Sequence, residues 1–119
     1  MKFYKCNDCG LILIQEEAPG CCADEWVELQ PNTTDASGEK HVPVIETDHR
    51  NVTVRVGSAE HPMIDAHYIM WIVLETNRGY QKKDLSPGEE PVARFALAEG
   101  ETIVAAYEYC NLHGLWKAE

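Results

Sequence analysis

A chain of 119 residues, 45% hydrophobic, holds one ordinary domain, or one with a small appendage, and carries enough apolar residue for a core, which argues against disorder. Twenty acidic residues against ten basic ones give a formal charge of −10 at pH 7, so nucleic acid and anionic membrane surfaces are excluded as expected partners, and an anionic substrate would need a local positive guide. No apolar leader segment opens the chain and its longest apolar run, residues 68–74, is too short to span a bilayer, so a cytoplasmic location is expected. There, five cysteines read as thiolate ligands rather than disulfides, four plus one.

In chain order, residues 1–30 form short apolar runs (Phe3-Tyr4, residues 11–14, Trp26-Val27) broken by Cys6-Asn7-Asp8-Cys9-Gly10 and by Ala18-Pro19-Gly20-Cys21-Cys22. A segment this short cannot bury enough apolar surface to fold alone, so it needs a staple. The Pro-, Asn- and Thr-rich stretch 30–38 marks the boundary, dividing the chain into 1–33 and 34–119, with a turn or short helical turn at 34–37. Beyond it the pattern is β. Residues 42–46 form a strand in which Pro43 demands an edge or a place among the first residues; Val52, Val54 and Val56 alternate with Thr53 and Arg55 as in a half-buried strand; and residues 68–74 read as a central strand covered on both faces. Strands at 92–97 and 102–109 follow, separated by turns at 77–79, 86–88 and 98–100, and the sum is an antiparallel sandwich.

Cys6-x-x-Cys9-Gly10 is a metal knuckle, and with the adjacent Cys21 and Cys22 it makes a four-thiolate set suited to tetrahedral iron or zinc. Neighbouring residues can both reach one ion only across a bend, so the site would be distorted; a vicinal disulfide or ordinary buried cysteines are the bland alternative. The second constellation gathers His41, His61 and His67, each at a strand end or in a loop, around Cys110-Asn111-Leu112-His113. Each histidine alone reads as an ordinary loop or core residue. Together, four imidazoles and a thiolate exceed what a structural zinc takes and leave one octahedral position open, as a reactive iron site requires. His49 reads as a solvated turn residue. Glu39 and Lys40 are by default surface charges, yet Lys40 beside His41 can guide an anion in an acidic protein.

Tyr4-Lys5-Cys6-x-x-Cys9-Gly10, Cys21-Cys22, Glu39-Lys40-His41-Val42-Pro43, His61-Pro62-Met63, His67-Tyr68-Ile69-x-Trp71-Ile72 and Glu108-Tyr109-Cys110-Asn111-x-His113-Gly114-x-Trp116-Lys117, in this order, make the sequence resemble the desulfoferrodoxin branch of the superoxide reductases over nearly its whole length. The resemblance implies an all-β protein: a desulforedoxin-like module binding iron through Cys6, Cys9, Cys21 and Cys22, then an immunoglobulin-like sandwich with a second, catalytic iron. It implies His41, His61 and His67 as equatorial ligands through Nε2, His113 through Nδ1, and Cys110 as axial thiolate. It assigns Lys40 to attracting superoxide and helping protonation, and Glu39 to filling the open position in the oxidised state. A homodimer fed by rubredoxin or a similar donor is also implied. The alternatives are a non-catalytic iron electron carrier, a binding module with two structural zincs, and a dismutase. The chain departs from the family pattern in a shorter interval between Cys9 and Cys21, and in Leu115, where a histidine is usual.

Overall fold

The computed structural model describes residues 1–20 and 25–119, and the chain divides into two compact units, Met1–Gln30 and Pro31–Glu119. In the first, β1 (Phe3–Cys6) is the centre of a three-stranded antiparallel sheet, flanked by β2 (Ile12–Ile14) and β3 (Trp26–Glu28). Its cysteine knuckle closes as a tight turn: the Gly10 N–H donates to the Cys6 carbonyl at 2.9 Å, with Gly10 at φ 78°, a conformation that favours glycine.

The second unit opens with the single turn of α1 (Gly38–His41), four residues later than the expected turn at 34–37, and continues as β4 (Pro43–Asp48), β5 (Asn51–Val56), β6 (Ile69–Thr76), β7 (Gly79–Asp84), β8 (Val92–Ala96), β9 (Ile103–Cys110) and β10 (Gly114–Ala118). Two antiparallel sheets result, ordered β4-β5-β8 and β10-β9-β6-β7. The fold is the two-sheet sandwich the period-two pattern predicts. Val52, Val54 and Val56 of β5 are buried and pack with Phe95 and Ala93 of β8 against Ile69, Ile72 and Leu74 of β6, and Ala106 and Cys110 of β9. Each such aliphatic side chain contributes roughly 1.5–3 kcal/mol on burial.

The continuous apolar run of β6 has a physical reason. Ile72 and Leu74 enter the core, while Trp71 stacks on Tyr109 of the neighbouring strand, ring centroids 5.7 Å apart, with the Lys82 ammonium 5.5 Å from the Trp71 ring. β7 supplies that lysine from the sheet edge. The opposite edge, β10, is covered by Asn32, whose side-chain amide donates to Lys117 O at 3.1 Å and accepts from Lys117 N–H at 2.8 Å. Among the described residues no helix is long and apolar enough to cross a membrane.

Candidate metal centre

Three segments of the sandwich converge on one point. α1 ends at His41 and is followed by edge strand β4; the loop from β5 to β6 carries His61 and His67; and the hairpin between β9 and β10 carries Cys110 and His113. The hairpin is tight because Cys110 pairs with Gly114, which takes φ 79°. A bulge in β6 adds a residue between Ile69 and Trp71, so Ile69 stands opposite Cys110 while Trp71 pairs with Tyr109. The Ile69 N–H also donates to the Met63 sulfur at 3.3 Å, which ties the His61-Pro62-Met63 stretch to the same strand.

One ligand atom from each of His41, His61, His67, Cys110 and His113 lies within 4.8 Å of all the others. The rings stand as a square. Neighbouring rings are nearly perpendicular, with centroids 4.6 Å (His41–His61), 4.7 Å (His61–His67), 5.0 Å (His67–His113) and 4.8 Å (His113–His41) apart, while His41 and His67 face each other across the diagonal at 6.5 Å with only 27° between their planes. Cys110 is wholly buried as part of the core, so the thiol approaches the square from the protein side.

The protonation states follow from the second layer of contacts. His41 Nδ1 lies 2.7 Å from Ser37 O and His61 Nδ1 2.7 Å from Pro62 O. A carbonyl only accepts, so both Nδ1 atoms carry the proton and both Nε2 atoms carry lone pairs. Those Nε2 atoms face each other at 3.1 Å, His113 Nδ1 is 3.0 Å from His41 Nε2, and among the described residues the buried His67 Nε2 has no hydrogen-bond partner. Burial, then the neighbouring imidazoles, hold His61 down at about 4 and His41 and His67 below their usual value, so these three rings are neutral near pH 7. Converging lone pairs in a buried space repel one another unless a cation lies between them. Adjacent donors bound to a first-row ion at about 2.1 Å stand about 3.0 Å apart, which is the spacing found. The residues therefore fit a metal, and four imidazoles with one thiolate suit iron.

A family profile described as Desulfoferrodoxin matches residues 33–119. The chain belongs to the desulfoferrodoxin family. It is 45% identical over 123 aligned residues to the Desulfoferrodoxin of Syntrophotalea carbinolica, with 100% of this chain and 96% of that one covered. Among solved structures it is similar to the superoxide reductase from Treponema pallidum (TM-score 0.83, 36% identity, 98% of both chains covered). It is also similar to the shorter one-iron superoxide reductase from Giardia intestinalis (TM-score 0.59, 36% identity, 67% of this chain and 95% of that one covered).

The remaining sequence candidates sit as follows. Glu39 and Lys40 are exposed in α1, outside the cluster of donors, although the Lys40 charge helps to lower both His41 and His67. Their backbone is fixed from behind. Glu39 O accepts from Ala59 N–H at 2.9 Å and Ser58 Oγ–H at 3.2 Å, and a side chain at Gly57 would come within 2.5 Å of that carbonyl, so only glycine allows the approach. Cys6 is buried and Cys9 exposed, and among the described residues neither is joined in a disulfide; Cys21 and Cys22 lie outside the described residues. His49 is exposed beside Asp48, apart from the cluster.

Two contributors carried no assigned role in the sequence reading. Trp116 is buried, stacks on His41 with centroids 4.9 Å apart, and donates its indole N–H to His113 O at 3.1 Å. Glu108 is fully buried, among the described residues neither carboxylate oxygen is hydrogen-bonded, and burial pushes it up to about 9, so it is an uncharged acid near neutral pH. Tryptophan after the Cys-x-x-His hairpin could have been read as a wall of the site; an acidic residue inside an apolar strand offers no comparable signal.

Proposed function

We propose that this desulfoferrodoxin reduces superoxide to hydrogen peroxide by one electron, without releasing dioxygen, at iron held by His41, His61 and His67 through Nε2, His113 through Nδ1, and Cys110 through Sγ. The observation that carries the reading is the square of four imidazoles with a core-side thiol, in a chain similar over 98% of its length to a superoxide reductase. Ferrous iron, held by this donor set, would supply the electron.

The chain's own residues do the rest. The core closes the Cys110 side, so an anion reaches the imidazole square from the solvent side. Lys40 is exposed next to His41 and gives that approach a positive charge in a protein of net charge −10. Its ammonium, or water beside it, is the proton source for product release. The Glu39 carboxylate, which accepts from Ser37 Oγ–H at 3.1 Å, is assigned to closing the oxidised site. For Cys110, burial pushes the thiol up while the backbone N–H groups of Leu112 and His113 pull it down, a setting in which a bound cation makes the thiolate.

Residues 1–33 are proposed as a module holding a second iron through Cys6, Cys9, Cys21 and Cys22, and residues 34–119 as the catalytic sandwich. A homodimer in the cytoplasm, reduced by rubredoxin or a similar donor, completes the reading.

The deciding experiment is a superoxide pulse on the reduced, iron-loaded protein. The expected result is one peroxide formed per superoxide consumed and no dioxygen; dioxygen evolution would identify a dismutase, and an unreactive ferrous site an electron carrier. Lys40→Ala is expected to slow the bimolecular step about tenfold at low ionic strength and to flatten its salt dependence. An unchanged ionic-strength profile would rule out guidance by Lys40.

A further inference from the structure

We propose that Asn111 is a positioning residue for the metal centre, which holds His67 in the imidazole square by clamping the backbone on both sides of it; this rests on the metal-site reading above. The four imidazoles are not anchored alike. His41 and His61 each spend a ring N–H on a backbone carbonyl, at 2.7 Å in both cases, which fixes tautomer and ring orientation. Among the described residues the His67 ring has no such bond, and its buried Nε2 has no partner at all. Its place depends on its backbone.

That backbone is gripped by one side chain. The Asn111 amide accepts from the Tyr68 N–H at 3.0 Å and donates to the Ala66 carbonyl at 3.1 Å, so its two ends bracket His67, while the Asn111 N–H donates to Tyr68 O at 3.2 Å. On its far side His67 is closed by paired backbone bonds with Ile64, at 3.0 and 3.1 Å. Asn111 stands between Cys110 and His113 in sequence, so the bracket ties the loop bearing one donor directly to the turn bearing two others. It presets His67 against the turn that carries Cys110 and His113 before metal arrives.

The chemistry selects the residue. Only a carboxamide of this length offers an acceptor to Tyr68 and a donor to Ala66 together. Aspartate keeps the first and sets an oxygen against the Ala66 carbonyl; leucine has similar size and makes neither bond; glutamine places its head group one methylene too far.

The test is cobalt(II) affinity of the full-length chain by chelator competition, read at the thiolate-to-cobalt absorption that Cys110→Ser removes, so that the N-terminal cysteines do not contribute. Asn111→Leu and Asn111→Asp are expected to weaken binding about 10–100-fold. In a His67→Ala background the same substitutions are expected to cost less than about threefold, because the ligand they position is gone. Melting of the metal-free proteins checks that the variants fold, and if the leucine variant does not, the near-isosteric aspartate carries the test. Equal losses in both backgrounds, or no loss in either, would overturn the proposal while leaving the metal site standing. A wild-type chain with no Cys110-dependent absorption would instead remove the metal-site reading, and the clamp with it.

Discussion

Serine in place of Cys110 is expected to slow superoxide reduction by at least about a hundredfold while leaving the four imidazoles able to hold a metal. The floor comes from partners one shell further out, whose loss already costs about 10–100-fold in affinity or activity. The thiol is wholly buried in the core cluster that includes Ile69, Ile72, Leu74 and Ala106. A hydroxyl there is shorter, is not deprotonated as readily as a thiol, and lacks the polarisable sulfur that donates electron density to iron. Burying it without a hydrogen-bond partner would also cost about 1–3 kcal/mol of stability. Metal analysis, the melting curve and superoxide-pulse kinetics separate these effects. A serine variant that retains iron and reacts at the wild-type rate would show that the thiolate does not set the reactivity.

How much of this was legible beforehand depends on where each signal lies. The β5 strand was readable because Val52, Val54 and Val56 are all buried on one face. β6 was readable because its neighbours cover both faces. β7 was hidden: Tyr80, Gln81, Lys82 and Lys83 form an edge strand whose pairing to β6 and lysine–tryptophan contact leave no apolar alternation. β10 was hidden because residues 109–114 read as a ligand loop, although Cys110 and Gly114 already pair as the ends of a hairpin. At the site, the identities of the donors were legible because Cys and His are chemically conspicuous. Their square was not, since it depends on α1, one long loop and one hairpin meeting at registers set by the sheets. The carbonyls of Ser37 and Pro62, which fix two tautomers, belong to backbone that carries no residue-specific mark.

Trp116→Ala is expected to lower both the stability of the chain and its grip on metal, and the second loss is the informative one. The indole is 4% exposed, so truncation opens a cavity and costs about 3–5 kcal/mol, a fall in Tm of about 10 °C or more for a unit of this size. The same ring stacks on His41 at 25° and bonds the backbone of His113, adjacent corners of the square. Without it both imidazoles gain freedom that metal binding must then remove. Trp116→Phe keeps an aromatic face for His41 and gives up the indole N–H donor, a loss of about 1 kcal/mol, and is expected to hold metal nearly as well as the wild type. Melting curves of metal-free and metal-loaded protein decide between packing and positioning. If Trp116 steadies the imidazoles, the rise in Tm on metal loading shrinks in the alanine variant and survives in the phenylalanine variant; a rise of wild-type size in all three would confine Trp116 to packing.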